Sequence, residues 1–186
     1  RSVSAFLLNR SSDLEIGGEF EGLAYLISWF GAVPTKYDSY DALGKISPLI
    51  TSDENIHIQN VLFINPRKNS TDNDEIKRAI LKYGGIASSY HEDSNNYNAK
   101  THSYYQNKVN TTNHAIAIVG WDDNYPASNF KETPPGNGAF IIKNSWGTNW
   151  GENGYFYISY YDTSIMKAIG VTFLIEDSEN FTKNYQ

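Results

Sequence analysis

One stretch of the sequence places a histidine at the head of a predicted β-strand. His114 opens the run Ala-Ile-Ala-Ile-Val-Gly-Trp, whose alternating apolar residues are typical of a strand. Because a strand holds its side chains in fixed directions, the imidazole of His114 would be aimed stiffly at whatever it faces. An imidazole changes charge near neutral pH and can act as an acid or a base. Taken alone, this stretch is explained equally well by a histidine without a function.

The segment from Lys143 to Tyr155 reads Lys-Asn-Ser-Trp-Gly-Thr-Asn-Trp-Gly-Glu-Asn-Gly-Tyr and is the second candidate. It directly follows the apolar run Phe140-Ile141-Ile142. An aromatic-rich turn at a sheet edge would explain part of it, but the pattern is too long and too specific for that alone. Together, the histidine strand and the Asn-Ser-Trp-Gly segment resemble the papain family of cysteine peptidases (C1-type).

This resemblance implies a catalytic role for three residues. His114 matches the histidine that holds a cysteine thiol as thiolate and later gives its proton to the departing amine. Asn144 matches the asparagine whose side-chain oxygen accepts from the other imidazole nitrogen and fixes the ring. Trp146 matches the indole that covers this hydrogen bond and keeps water from it. The implied site is the cysteine variant of the nucleophile–base–orienter arrangement.

A pair of glycines near the start of the chain resembles the family's main-chain substrate-binding segment. Gly17 and Gly18 precede a predicted helix, and the resemblance implies that their backbone binds the substrate as an added strand. The absence of a Cβ would allow this close approach. Taken alone, the two glycines are better explained as a turn at the helix entry.

The resemblance also places four residues around the main specificity pocket: Phe20, Ser89, Thr112 and Asn113. A large ring at Phe20 beside a small hydroxyl at Ser89 would suit a medium-sized apolar or aromatic substrate side chain. The implied substrate is a protein or peptide, and the resemblance implies no cofactor.

The nucleophile is missing, because the sequence contains no cysteine. In this family the histidine and asparagine follow the cysteine by about 130–150 residues. We therefore expect the cysteine upstream of Arg1 or on another chain, which would then be a partner. Residues 1–175 are expected to form a partial peptidase domain without its N-terminal segment, and residues 176–186 a C-terminal tail. The chain alone is expected to be inactive.

Two helices are predicted to position these residues. Apolar residues at steps of three and four predict a helix over Phe20–Phe30. A second helix is predicted over Asp74–Tyr83, begun by Asn73 or Asp72 and ended by the pair Gly84-Gly85. In the second helix the residues expected to face the core are Ile76, Ile80 and Leu81.

The later part of the chain predicts strands, rich in β-branched and aromatic residues. The predicted strands are Ile86–Tyr90, His114–Trp121, Ala139–Asn144, Tyr155–Tyr160 and Ile169–Leu174. The segments Asn95–Thr111 and Asp122–Gly138 are predicted loops, the first of them alternatively an irregular hairpin. Helices followed by antiparallel strands indicate an α+β fold. The resemblance makes it a papain-like fold, of which this chain supplies a β-rich, barrel-like half and part of the helical half.

Composition excludes several classes of function. The chain has 186 residues, of which 40% are hydrophobic and 19% charged, as in an ordinary folded domain. Its net charge of −6 argues against a nucleic-acid-binding surface. No apolar run approaches the ~20 residues of a membrane span. The other histidines, His57, His91 and His102, lack metal-ligand spacing and are expected to be solvated loop residues, so no metal site is predicted.

Two other functions remain compatible with the sequence. The first is a non-catalytic papain-like module that binds peptides or a partner, and the second is a carbohydrate-binding surface protein, suggested by the tyrosines and tryptophans. The long loop Asp122–Gly138 and the absence of disulfide cysteines look more like bacterial or archaeal extracellular members of the family than lysosomal ones. This similarity implies a secreted or cell-surface location.

Overall fold

Eight β-strands and one α-helix make up the part of the chain that the structure, a computed structural model, describes, which is residues 57–176. In chain order they are β1 His57–Ile64, α1 Asp74–Tyr83, β2 Ile86–Tyr90, β3 Tyr97–Asn98, β4 Ser103–Tyr104, β5 His114–Asp122, β6 Ala139–Lys143, β7 Tyr155–Ser159 and β8 Gly170–Glu176. The predicted helix Phe20–Phe30, and with it Gly17, Gly18 and Phe20, lies outside the described residues.

All eight strands belong to one sheet with the order β1-β8-β2-β5-β6-β7-β4-β3. Neighbouring strands are antiparallel except β4 and β7, which pair in parallel. The strands β5 and β6 lie side by side, with Ala117 opposite Lys143. This pairing brings the first residue of β5 close to the residue that follows β6, which sets up the site described below.

The five predicted strands are confirmed, each with ends shifted by no more than two residues. Alternating apolar residues predict a strand because successive side chains of a strand point to opposite faces of the sheet. The strand β1 was not predicted, and it places His57 in a strand instead of a solvated loop. The hairpin β3–β4 confirms the irregular-hairpin alternative for Asn95–Thr111. The parallel pairing of β4 with β7 corrects the expectation of a purely antiparallel sheet.

The helix α1 spans the predicted range, and it buries Ile76, Ala79 and Ile80. The prediction for Leu81 is wrong: its side chain is 77% exposed, because the helix packs through the stripe three and four residues apart that contains Ala79 instead. The backbone of Gly84 ends the helix at φ +97°, and its N–H donates to the carbonyl of Ile80. A left-handed residue at this point is the usual reason for a glycine.

The core lies between α1 and the sheet and continues under the central strands. The side chains of Ile118, Phe140, Ile142, Phe156 and Ile158 are fully buried there. Burying such side chains supplies most of the stability of a domain. In a chain without cysteine, this core and the hydrogen bonds around it hold the strands that carry the site.

A buried cation ties the connection between β7 and β8 to the start of α1. The guanidinium of Arg67 donates to the side chain of Asn73 and to the carbonyls of Tyr160, Asp162 and Ile165. Burial lowers the pKa of Arg67 to about 10, while the nearby Asp162 carboxylate opposes this shift. Because the charge is hydrogen-bonded, it is tolerated inside the protein.

The long loop 122–138 is ordered by its own small core. Tyr125 and Phe130 pack with Tyr105 and Ala139. The loop closes through a hydrogen bond of 2.9 Å from the N–H of Gly138 to the carbonyl of Tyr125. The loop is therefore a packed part of the β-rich half.

Candidate active site

His114 and Asn144 meet at the edge between β5 and β6. His114 is the first residue of β5, and Asn144 follows the last residue of β6. The imidazole Nε2 lies 2.9 Å from the amide Oδ1 of Asn144. Both residues are buried, with exposed fractions of 6% and 8%. A hydrogen bond in such a place is shielded from competition by water.

The backbone next to Asn144 determines which way its amide points. The N–H of Ser145 lies 2.8 Å from Oδ1 of Asn144. A backbone N–H can only donate, so the atom that it meets must be the amide oxygen. The same oxygen therefore also accepts from His114, and Nε2 of the imidazole must carry a proton. This leaves the imidazole Nδ1 as the nitrogen available for proton transfer.

Aromatic rings enclose the imidazole on two sides. The ring of Trp146 lies 5.0 Å from that of His114, at an angle of 33°. The ring of Tyr90 meets the imidazole edge-on at 5.7 Å. Burial, followed by the Glu92 carboxylate, raises the pKa of Tyr90 well above its usual value. The phenol therefore stays neutral and forms an uncharged wall of the site.

Trp146 is held by one further ring and is itself 41% exposed. Trp150 meets it edge-to-face at 4.8 Å, a favourable geometry for two aromatic rings. The turn that brings the two indoles together needs glycine, because a Cβ on Gly151 would lie 2.4 Å from the carbonyl oxygen of Tyr155. Gly151 thus serves the placement of the two tryptophans.

Of the predicted substrate-binding residues, Ser89 lies next to the site. It is paired with Ala115 on β5, the residue after His114. Its side chain is 4% exposed, and its hydroxyl has no hydrogen-bond partner among the described residues. Thr112 is half-buried, two residues before His114.

The side chain of Asn113 is hydrogen-bonded to the backbone of the segment after β2. Its amide oxygen accepts from the backbone N–H of Glu92 at 2.6 Å, and its amide nitrogen donates to the carbonyl of the same residue at 3.0 Å. Both polar atoms are therefore engaged within the protein. Asn113 fastens the chain just before His114 to the segment after β2.

Three contributors to the site were not predicted: Tyr90, the backbone of Glu92 and the N–H of Ser145. Tyr90 is the register partner of His114, so knowledge of the strand pairing would have identified it. The other two contributions come from backbone atoms, which residue type does not reveal.

The structure also corrects the expectation for two other histidines. His91 is partly buried directly after β2, and its Nδ1 has no partner among residues 57–176. His102 lies on the hairpin β3–β4, where its Nδ1 is 3.1 Å from the hydroxyl of Tyr97. Within the same residues, no three histidine, aspartate or glutamate side chains gather where they could hold a metal ion. The described region includes no helix that is both long and apolar enough to span a bilayer.

Comparison with known proteins places this geometry in a family context. Residues 19–172 match the sequence family described as papain family cysteine protease. A clostridial cysteine protease, Cwp84 after propeptide cleavage, is 32% identical with a TM-score of 0.76, and the match covers 91% of this chain and 43% of that one. A second matching structure contains the cysteine protease and lectin-like domains of Cwp84, a surface layer associated protein of Clostridium difficile.

Curated relatives share shorter regions with the chain. Pro-cathepsin H of Mus musculus is 33% identical over 132 residues, 65% of this chain and 34% of its own length. Papain of Carica papaya is 45% identical over 49 residues, 26% of this chain and 10% of its own length. The chain thus spans less than half of each of these relatives. A procathepsin L of Tenebrio molitor, 18% identical with a TM-score of 0.64 and matched over 90% of this chain and 53% of its own, shows the same papain-like fold.

Proposed function

We propose, from the premise that this chain belongs to the papain family of cysteine proteases, that it supplies the acid–base half of a proteolytic site. In this proposal His114 is the catalytic base and acid, Asn144 orients it and Trp146 shields it. The observation that carries the proposal is the buried hydrogen bond between His114 and Asn144 under the indole of Trp146.

The proposed reaction begins with a cysteine thiolate from outside this chain. The thiol gives its proton to Nδ1 of His114, and the resulting imidazolium stabilises the thiolate. The thiolate attacks the carbonyl carbon of the scissile peptide bond, and the imidazolium proton passes to the departing amine. A water molecule then gives a proton to the neutral imidazole while its oxygen attacks the thioester. The acid is released, and the thiolate and imidazolium are regenerated.

Asn144 has a simple physical task in this cycle. Its oxygen accepts from Nε2 of His114 whether the imidazole is neutral or charged, so the ring stays aimed while Nδ1 exchanges its proton. A neutral amide suffices because the resting ion pair needs orientation, not a further negative charge. The cover of Trp146 excludes water, which would otherwise compete for the same hydrogen bond.

The substrate proposed for the site is a protein or peptide. Gly17 and Gly18 are proposed to bind its backbone, and Phe20, Ser89 and Thr112 to line the main specificity pocket. The buried hydroxyl of Ser89 beside the histidine strand supports that location. Asn113 is proposed to line the same pocket through its backbone, since both polar atoms of its amide are engaged with Glu92.

The nucleophilic cysteine is proposed to lie upstream of Arg1 or on a separate chain that docks onto this one. Residues 1–175 then form part of the peptidase domain, and residues 176–186 its tail. The likeness to Cwp84, a surface layer associated protein, supports a secreted or cell-surface location. A bacterial or archaeal branch of the family is proposed from the long loop 122–138 and the absence of disulfide cysteines.

The decisive experiment restores the segment that precedes Arg1 in the gene and measures hydrolysis of a denatured protein substrate. We expect activity that an alkylating agent abolishes and that His114→Ala removes. The matched control is His102→Ala, since His102 is bonded to Tyr97 rather than to Asn144. Activity indifferent to alkylation would overturn the thiolate mechanism, and the absence of hydrolysis with both the upstream segment and an added cysteine-bearing chain would leave a peptide-binding module as the function.

A further inference from the structure

The hairpin β3–β4 is too short to be stable by itself. Each strand has two residues, and the pair lies at the edge of the sheet beside β7. Isolated two-stranded hairpins are marginal in water even when they are longer. Its conformation must therefore come from contacts with the rest of the protein.

The long loop 122–138 provides these contacts through one carbonyl group. The backbone oxygen of Asn129 lies 2.7 Å from the amide nitrogen of Asn98, 2.5 Å from the hydroxyl of Thr101 and 2.8 Å from that of Ser103. In addition, the phenol of Tyr125 donates to the carbonyl of Thr101 at 2.8 Å. The loop thus forms hydrogen bonds with both strands of the hairpin and with the turn between them.

The ring of Tyr97, on β3 of the hairpin, is held at two points. The ring stacks on Trp150, with centroids 5.1 Å apart and planes 23° from parallel. Its hydroxyl is 3.1 Å from Nδ1 of His102, on the same hairpin. Burial raises the pKa of Tyr97, so the phenol remains neutral and able to hydrogen-bond.

A continuous series of ring contacts leads from Tyr97 to the imidazole. Tyr97 stacks on Trp150, Trp150 meets Trp146 edge-to-face, and Trp146 covers His114. Among residues 57–176, the rings that contact Trp146 are those of His114 and Trp150. Trp146 is half-exposed, and in this part of the chain Trp150 is the ring that supports it apart from His114.

We propose that Tyr97 is a positioning residue for the site: through Trp150 it holds Trp146 over the His114–Asn144 hydrogen bond. The loop 122–138 then contributes to the site at a distance, by holding the hairpin that carries Tyr97. Only the catalytic consequence of this proposal rests on the proposed function. The effect on the rings themselves is a property of the folded chain.

Two variants at Tyr97 separate its contacts. Tyr97→Phe keeps the stack on Trp150 and loses the bond to His102, whereas Tyr97→Ala loses both. Tyr83→Ala is the matched control, since Tyr83 is another partly buried tyrosine packed against the same core. It has no ring contact with Trp146 or Trp150.

The first measurement is nuclear magnetic resonance of the indole N–H groups and of the imidazole of His114 in the full 186-residue chain, assigned with single tryptophan variants. Tyr97→Ala should shift the signals of Trp150, Trp146 and His114 and leave that of Trp121 in place. Tyr97→Phe should restore them almost fully, and Tyr83→Ala should leave all three unchanged. Should only the Trp150 signal move in Tyr97→Ala, Tyr97 merely packs and the proposal fails.

The second measurement uses the chain together with the cysteine-bearing segment that the proposed function requires. Tyr97→Ala should lower kcat about 2- to 10-fold, the rate equivalent of one lost aromatic pair, with KM within about twofold. If the unmodified protein shows no activity, the proposed function fails but the spectroscopic result still decides the positioning role. If Tyr97→Ala does not fold, Tyr97→Leu takes its place, and an unchanged Trp146 signal there refutes the proposal.

Discussion

The hydrogen bond between His114 and Asn144 can be weighed by a double-mutant cycle in the chain as it stands. The variants are His114→Ala, Asn144→Ala and the double variant. Asn144→Ala leaves the buried N–H of the imidazole and the N–H of Ser145 without their acceptor. A buried donor without a partner costs about 1–3 kcal/mol. His114→Ala should lower the free energy of unfolding by less, because the amide oxygen of Asn144 still accepts the hydrogen bond from the N–H of Ser145.

The double variant removes both partners, so its loss of stability should be smaller than the sum of the two single losses. We expect a coupling energy of about 1–2 kcal/mol, in the range measured for residues that share a hydrogen bond. The assay is denaturant unfolding at neutral pH, followed by circular dichroism, with the free energy of unfolding extrapolated to water. Equal m-values across the four proteins show that the same transition is compared.

The chain contains its own control pair in Lys77 and Asp123. Their charged atoms are 2.5 Å apart, closer than those of the buried pair, but the ion pair is open to solvent on one side, with the side chain of Lys77 21% and that of Asp123 56% exposed. Exposed ion pairs contribute about 0.2–1 kcal/mol, so this coupling should be the smaller of the two. Coupling near zero for His114 and Asn144, or larger coupling for the exposed pair, would refute the idea that burial makes this hydrogen bond strong.

Three further results are expected. Trp146→Ala should lower the free energy of unfolding by about 1–3 kcal/mol, because the half-buried indole loses its contacts with His114 and Trp150, and it should reduce the coupling energy of His114 and Asn144 in the same double-mutant cycle. Gly138→Ala should cost about 2–5 kcal/mol in denaturant unfolding, since its φ is +106° and a Cβ would lie 2.4 Å from the Tyr160 ring. Above about pH 10 the folded chain should lose stability, because burial raises the pKa of Tyr90 and Tyr104; phenolate absorbance measures their ionisation.

The sign of the alkaline effect follows from the folded and unfolded pKa values. An acid whose pKa is higher in the folded protein favours folding fully below its unfolded pKa, and this contribution fades as the pH rises toward the folded value. The two buried phenols should therefore ionise only together with unfolding. Early ionisation of both in the folded chain would contradict their assigned burial.

For the Gly138→Ala prediction, Gly147→Ala is the control, because Gly147 also has a positive φ, +82°, but no atom lies within 4 Å of the added Cβ.

The sequence predicted those features that depend on local pattern. Alternating apolar residues located β2, β5, β6, β7 and β8, and the stripe in Asp74–Tyr83 located α1. The prediction of which side chains meet at the site came from family resemblance, and the distance between His114 and Asn144 agrees with it.

Features that depend on long-range packing were not predictable in this way. Leu81 fits the apolar stripe of α1 as well as Ala79 does, and only the position of the sheet decides which one is buried. The pocket assignment of Asn113 could not anticipate the backbone of Glu92, which is 21 residues away in sequence. The hairpin is held by hydrogen bonds to the backbone carbonyl of Asn129, and the type of a residue does not indicate which groups its backbone oxygen will bind.

The shared oxygen of Asn144 has a consequence for how such an enzyme could be put together. The N–H of Ser145 already selects the orientation of the Asn144 amide. Nε2 of His114 therefore carries its proton before a thiol is present. The arrival of the nucleophile would then require no rearrangement of this half. If the proposed function holds, preorganisation of that kind would make the β-rich portion an acceptor for complementation, in which a separately produced cysteine-bearing fragment is expected to restore function upon mixing.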